Sequence, residues 1–292
     1  MPSERGVGGD IRQFLITRRD RLTPGQAGLP DYGGRRRVSG LRREEVALLA
    51  GISIEYYTRL ERGNARGVSD EVIERLARAL QLDEVERGHL FDLVRAASTA
   101  PGRGRQHVAP TGVRRSVQQA LDAMTSAAAF VRNARLDVLS ANQLGSALYC
   151  QLFDNPGLSA NLARFVFLDP RATKFYRDWD RIAHDAAGSL RSQAGRNPRD
   201  QALAELIDDL SARSGQFRTR WAAHNVSYYR TGTQPFHHPV AGDLDLDFDA
   251  LEVAADPGLT IVAYTAPPGS ASRSALRQLA SRTANDGDDA LA

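Results

Sequence analysis

A chain of 292 residues with 42% hydrophobic residues and a net charge of +3 is long and apolar enough for two globular domains. No run approaches the roughly 18 apolar residues of a membrane span, and the N-terminus has no apolar export segment, so we expect a cytoplasmic protein without membrane attachment. The single cysteine, Cys150, excludes an internal disulfide and a zinc site built on several cysteines, and we expect it to be a core thiol.

Five helical segments are predicted in the N-terminal part of the chain from hydrophobic periodicity and capping residues. They cover residues 9–21, 42–50, 53–62, 69–81 and 83–97. Ser69 is the expected N-cap of the fourth segment, and Asp83 with Glu86 has the spacing of a capping box at the start of the fifth. These segments predict an all-helical domain over residues 8–97.

A glycine separates the second and third segments in the stretch GLRREEVALLAGISIEYYTRLERG, residues 40–63. Gly51 can adopt a positive φ without steric cost, and Ser53 can cap the helix that follows. Ala47 is small enough to let the two helices cross closely. Because both helices also carry an apolar stripe, the pattern predicts a helix-turn-helix corner.

The second helix of this corner has a polar outward face made of Glu55, Arg59 and Arg62, with Tyr56 beside it. Residues 1–67 contain 13 arginines against eight acidic residues, whereas residues 121–292 contain 17 basic against 20 acidic residues. A polar helix face together with a local excess of arginine indicates a DNA-binding module. A helical protein-interaction domain is the alternative. Glu55 and Arg59 also have the i, i+4 spacing of an intrahelical ion pair, which could form when no DNA is bound.

The stretches LRREEVALLAGIS and YYTRLERG resemble the XRE family of helix-turn-helix regulators, over about residues 8–97. The resemblance implies that helix 53–62 enters the major groove of double-stranded DNA and that a homodimer binds an inverted-repeat operator. The base and phosphate contacts that it implies are Arg43, Ser53, Ile54, Glu55, Tyr56, Arg59, Arg62 and Asn64. The loop after the first helix is longer than in the simplest family pattern, and its Arg35, Arg36 and Arg37 are expected to add phosphate or minor-groove contacts.

The rest of the chain begins with a predicted linker, residues 98–112, which is rich in Pro, Gly and Arg. Strands are predicted at 128–133 and 136–142, and within the segments VSYYRTG, DLDLDFDALEV and LTIVAYT. Helices are predicted near 142–150, 157–165, 178–194, 201–212 and 214–224. The pattern predicts an α+β domain with one antiparallel sheet and helices over one face. A disordered tail is expected over residues 283–292.

The second domain carries a resemblance in the stretches VRNARLDVLSANQLGSALY, NLARFVFLDPRATKFYRDWDRIA and HPVAGDLDLDFDALEV. They resemble the PAS-like ligand-binding domain of MmyB-like transcription regulators, over residues 113–281. The resemblance implies a small lipophilic, fatty-acid-like ligand held between sheet and helices. We select the candidate lining residues Tyr176, Trp179, Trp221 and Phe236, with Arg132, Asn142 or His238 as polar anchors, although aromatic residues equally suit a plain core.

Together the two resemblances imply a sequence-specific transcription regulator controlled by a ligand. An alternative stays open, in which the second domain binds a protein partner, RNA polymerase or a sigma factor, and no small molecule. Glu44 and Glu45 are expected exposed acids near the DNA that could contact a sigma factor, but they also suit the positive N-terminus of a helix.

An enzyme is not predicted, because the chain has no phosphate-binding glycine loop, no nucleophile elbow and only one lysine, Lys174. No catalytic residue and no cofactor are therefore assigned. The DLDLDFD stretch, residues 243–249, alternates as a strand with one solvated face and lacks the glycine and distal glutamate of a calcium loop. The side chains of His237 and His238 diverge on a strand, so no metal site is predicted.

Overall fold

The computed structural model describes residues 6–30, 38–98, 112–154, 160–227 and 230–289, with side chains through Ser281. The chain forms two compact units. The first contains the described residues up to 98 together with 191–201 and 221–227, and the second contains 112–190, 202–220 and the chain from 230 onward.

The first unit is helical and contains the five predicted helices in the predicted order. They are α1 (Val7–Arg21), α2 (Arg43–Ala50), α3 (Ile54–Glu61), α4 (Asp70–Ala79) and α5 (Glu84–Ser98). The Ser69 hydroxyl accepts from the backbone N–H of Val72. Asp83 and Glu86 exchange backbone-to-side-chain hydrogen bonds of 2.8 and 3.2 Å, which confirms the capping box at the start of α5.

The first unit also includes chain from much later in the sequence. The buried guanidinium of Arg18 donates to the carbonyl of His224 at 2.6 Å and to Asn225 Oδ1 at 3.1 Å. At Gly195 an added Cβ would lie 2.5 Å from Cε1 of the buried His89 ring, so only glycine fits there without a shift. The helical core is thus completed by residues that no local pattern connects to it.

The second unit contains a five-stranded sheet and nine helices within its described part, counting three helices that each have one end in the first unit. In chain order these are α6 (Arg115–Asp122), β1 (Ala128–Arg132), β2 (Val138–Ala141), α7 (Gln143–Leu148), α8 (Cys150–Phe153), α9 (Leu162–Leu168), α10 (Ala172–Phe175), α11 (Trp179–Arg196), α12 (Gln201–Arg213), α13 (Gly215–Ala222), β3 (Thr231–His238), β4 (Gly242–Glu252), β5 (Thr260–Thr265) and α14 (Ala271–Asp289). All paired strands are antiparallel, in the order β2-β1-β5-β4-β3. The predicted α+β class is confirmed.

Strand β4 shows why period-2 patterns are informative here. Leu244, Leu246 and Phe248 are buried, while the aspartates between them are exposed, as predicted. The prediction for β3 was wrong: the strand begins at Thr231, after most of the VSYYRTG segment, and includes Pro235. Proline is tolerated because β3 lies at the sheet edge, where an N–H can be missing without breaking a central ladder.

Three further predictions are corrected by the structure. Helices cover both faces of the sheet, because Ala129 and Val131 of β1 pack with Val117 and Leu121 of the unpredicted α6. The helix expected at 157–165 begins later, as α9, where Asn161 caps it by accepting from the N–H of Arg164. The segment expected to be disordered, residues 283–292, includes the last part of α14, which ends at Asp289.

Candidate DNA-binding face and ligand cavity

The corner between α2 and α3 has the geometry expected of a helix-turn-helix. Gly51 ends α2 in the left-handed region, with φ 63° and ψ 40°, a conformation that favours glycine. The N–H of Ile52 donates to the carbonyl of Ala47 at 3.0 Å, and the Ser53 hydroxyl caps α3 by accepting from the N–H of Tyr56 at 3.1 Å. Ala47 is buried, as expected for a small residue where two helices cross closely.

The outward side of α3 forms an open groove, while Tyr57 and Leu60 on its opposite side are buried in the helical core. The residues that line the groove are Ile54, Glu55, Thr58, Arg59, Arg62 and Asn64. Five of these six are among the predicted DNA contacts. The predicted contacts Ser53 and Tyr56 lie at the first turn of the same helix, exposed and half-buried respectively.

Arg59 is stacked on its neighbour Tyr56, with its guanidinium carbon 4.7 Å from the ring centre. The alternative of an intrahelical ion pair with Glu55 is not found among the ion pairs of the described residues. A cation over an aromatic face is stabilised by the ring quadrupole, which restricts the Arg59 side chain to the outward side of α3.

Arg43 has a structural partner that the sequence analysis missed. Its Nε donates to Glu61 Oε1 at 2.8 Å, and Glu61 Oε2 accepts from Arg19 Nε at 3.0 Å. Glu61 is buried, whereas the Arg43 side chain is 54% exposed. The sequence could have indicated that Glu61 is buried, because it lies one turn after Tyr57 on the inward side of α3. Arg35, Arg36 and Arg37 lie outside the described residues.

A cavity of about 60 Å³ lies within the second unit, between the sheet and the helices. Its lining is Phe130, Arg132, Leu136, Tyr149, Leu162, Val166, Tyr176, Ile182, Asp185, Ala186, Ser189, Val262 and Tyr264. This volume holds only a few water molecules. A larger ligand therefore has to displace lining side chains as it enters.

Arg132 and Tyr176 are the two predicted ligand residues that line this cavity. Asn142 instead holds the turn from β2 into α7, where its Oδ1 accepts from the N–H groups of Ala129 and Gly145. Its amide nitrogen donates to the carbonyl of Ala127. Buried Asn142 is thus a cap and not part of the lining.

His238 and Phe236, two other predicted ligand residues, belong to the packed core. His238 Nε2 lies 3.1 Å from the carbonyl oxygen of Ala147, and its Nδ1 accepts from the N–H of Ala241 at 3.0 Å. Burial lowers the pKa of His238, so the ring is neutral with its proton on Nε2. Phe236 is fully buried among other aromatic rings.

The two tryptophans are also placed away from the lining. Trp179 donates its Nε1–H to the carbonyl of Val166 at 3.0 Å. Trp221 belongs to the first unit, where the Arg191 guanidinium lies 3.7 Å from its ring centre. Both rings are large apolar surfaces with one donor each, and nothing in the local sequence distinguishes such packing from a ligand contact.

Tyr149 and Tyr264, which the sequence analysis did not select, place their hydroxyl oxygens 2.9 Å apart at the cavity. The alternation of β5 could have identified Tyr264, because Val262 and Tyr264 share a face. No comparable signal identifies Tyr149. No group of three His, Cys, Asp or Glu side chains in the described ranges could hold a metal ion. None of the helices searched there is long and apolar enough to cross a membrane.

Comparison with protein families identifies both domains. Residues 18–90 match a helix-turn-helix domain, and residues 113–279 match the MmyB-like transcription regulator ligand binding domain. No curated protein matches the chain. The second match covers more than half of the 292 residues, and both predicted resemblances are confirmed. The chain belongs to the MmyB-like transcription regulators, with an N-terminal helix-turn-helix domain and a C-terminal ligand-binding domain.

Proposed function

We propose that this regulator binds an inverted-repeat DNA site as a homodimer through the outward side of α3, and that a small lipophilic ligand in the second unit controls the binding. The observation that carries the proposal is the groove on α3. Its lining includes Arg59, Arg62 and Asn64, which supply the donors that read base edges and phosphates, and the corner at Gly51 leaves this side of α3 exposed.

A dimer follows from the size of the reading surface. Helix α3 has eight residues, and one such helix contacts only a few base pairs. Helix-turn-helix proteins reach specific affinity by pairing two half-sites one helical turn, about 34 Å, apart. Two copies related by a two-fold axis would read the same sequence on opposite strands, which is an inverted repeat.

Control by a ligand is supported by the cavity. Ten of its thirteen lining residues are aliphatic or aromatic, and the other three, Arg132, Asp185 and Ser189, are polar or charged. An apolar lining with a few polar groups is typical of small-molecule sites. A ligand can shift DNA binding only by its different affinity for the two states of the protein.

The DNA part is tested by selecting sequences from a randomised duplex library with the full-length protein and measuring the mass of the complex by analytical ultracentrifugation. We expect an enriched inverted repeat bound by two copies. No enriched sequence, or a single half-site bound by one copy, would overturn this part.

The ligand part is tested on the selected operator. Organic extraction and mass spectrometry of the purified protein should recover a lipophilic compound, and adding it back should change the operator Kd. If nothing is recovered and a lipid library leaves both the Tm and the operator Kd unchanged, the second domain has no such ligand. Binding of purified RNA polymerase or a sigma factor to the operator complex would then support the alternative partner, unless it is lost in Glu44→Ala, which would place the contact on the helix-turn-helix domain instead.

A further inference from the structure

Three tyrosine hydroxyls meet at one end of the cavity. The hydroxyl oxygens of Tyr149 and Tyr264 lie 2.9 Å apart, and Tyr176 interacts with both residues. Each of the three residues is 3% exposed or less, and all three line the cavity. Burial, together with Tyr264, raises the pKa of Tyr176, so this group is a neutral phenol. We call Tyr149, Tyr176 and Tyr264 the tyrosine cluster.

The sheet register separates Tyr264 of the cluster from Arg132. On β1 and β5, Ala128 is opposite Tyr264, Phe130 is opposite Val262, and Arg132 is opposite Thr260. Ala128 is the residue of β1 that lies opposite Tyr264, and Arg132 follows it by four residues. At the usual rise of a strand, this separation along β1 is about 13 Å. The apolar side chains of Phe130 and Val262 lie between the two ends.

The charges on the lining do not favour an anion at the tyrosine cluster. Arg132 and Asp185 are the charged residues that line the cavity, and their formal charges cancel. An anionic group buried against phenols, with apolar rings around it, loses its hydration without gaining a cation. A hydroxyl or carbonyl group loses much less, and phenolic hydroxyls can both donate to it and accept from it.

We propose that the tyrosine cluster is a specificity site that selects an elongated apolar ligand whose inner end carries an uncharged hydroxyl or carbonyl group. This inference rests on the proposed ligand-binding function and narrows its ligand class from lipophilic molecules in general, including fatty-acid anions, to neutral amphiphiles. A purely hydrocarbon end makes no hydrogen bond with the cluster, and a carboxylate end is poorly solvated there.

The test compares three probes of equal chain length: octan-1-ol, n-octane and octanoate. Their binding to the full-length protein is measured by displacement of the apolar dye Nile red. We expect octan-1-ol to bind about fivefold more tightly than n-octane, the usual effect of one net hydrogen bond between neutral groups. Octanoate should bind more weakly than octan-1-ol.

Conservative variants test whether the tyrosine cluster causes the preference for octan-1-ol over n-octane. Tyr176→Phe and Tyr264→Phe should each weaken octan-1-ol about fivefold and leave n-octane nearly unchanged. Tyr57→Phe, which removes a buried phenol from the first unit, is the matched control and should change neither. Far-UV circular dichroism checks folding, and the preference of the wild-type protein for octan-1-ol stands as a test even if one variant fails to fold.

Two outcomes would overturn the inference while leaving a lipophilic ligand in place. One is equal binding of octan-1-ol and n-octane, which would mean that the cluster holds only water or other protein groups. The other is tightest binding by octanoate. Displacement by none of the three probes would be a different failure, because it would count against the proposed lipophilic ligand itself.

Discussion

The helical unit buries both partners of two ion pairs, whereas the core of the sheet unit buries neutral hydroxyls among aromatic rings. In the first, Arg18 pairs with Glu86 and Arg19 pairs with Glu61, all four being buried. In the second, aromatic rings surround the tyrosine cluster. The ring centres of Phe236 and Tyr264, for example, are 5.4 Å apart. Buried ion pairs are costly to break and demand fixed geometry. Aromatic packing depends mainly on shape and buried area.

This difference between the two units fits their proposed roles in DNA binding and ligand binding. Glu61 at the end of α3 is held by arginines from α1 and α2, so the ion pairs orient the helix that carries the proposed reading groove. The cavity is lined mainly by groups without charge, as suits an apolar ligand.

The largest expected effect is on the aromatic core. Phe236→Ala should lower the free energy of unfolding of the sheet unit by about 4 kcal/mol, because it removes a fully buried ring and leaves a cavity. Hydrogen exchange of the β3, β4 and β5 amides measures this loss. Phe153→Ala, at a site that is 39% exposed, is the control and should cost about 1 kcal/mol or less. Equal effects at the two sites would contradict the assignment of Phe236 to the core.

The next effect concerns the buried ion pairs. Glu61→Leu leaves the buried Arg19 without its carboxylate and should destabilise the helical unit by about 3 kcal/mol. The double variant Glu61→Leu with Arg19→Met removes both charges and should recover most of that loss. Glu44→Leu, in an exposed pair with Arg42, should change stability by less than about 1 kcal/mol. If the double variant is no more stable than the single one, charge burial is not the cause.

The reading groove predicts a smaller and more specific effect. Arg59→Ala should lose about 1–3 kcal/mol of discrimination at one base-pair position of the operator, if the side chain contacts a base edge. Anisotropy titrations with single-substituted operators measure it. Arg95→Ala, which removes the same charge from an exposed position on α5, controls for general electrostatics. A loss spread evenly over all operator sequences would instead make Arg59 a phosphate contact.

The smallest effect is a pH dependence in the helical unit. Burial, followed by nearby Arg191 and Arg18, lowers the pKa of His89 to about 3. The unfolded chain, with a histidine pKa of about 6.5, therefore binds a proton that the folded unit does not. Stability should fall as the pH drops below that value, by about 1.4 kcal/mol between pH 7.5 and 5.5.

The control for this pH effect is His89→Leu. It should flatten the pH dependence of α5 amide exchange in that window, where carboxylates titrate little. An unchanged slope in the variant would show that other groups cause it.

Local patterns predicted the helical unit well and the cavity poorly. The corner at Gly51, the cap at Ser53 and the capping box at Asp83 depend on residues within one or two turns, and all are observed. For the cavity, the sequence offers a set of apolar rings that are alike in hydrophobicity. Among the candidates, Tyr176 lines it, while Trp221 lies in the other unit. Selecting between such rings requires knowing which strands pair and in which register.

The amino-acid sequence by itself determined the helix-turn-helix, the α+β class of the second domain and the family, because periodicity, glycine conformation and capping act over a few residues. Only the tertiary structure decided that Tyr149, Tyr176 and Tyr264 meet, and that residues 191–201 and 221–227 complete the helical unit. These contacts join residues up to 207 positions apart. They depend on complementary packing over the whole chain, which local propensity does not encode.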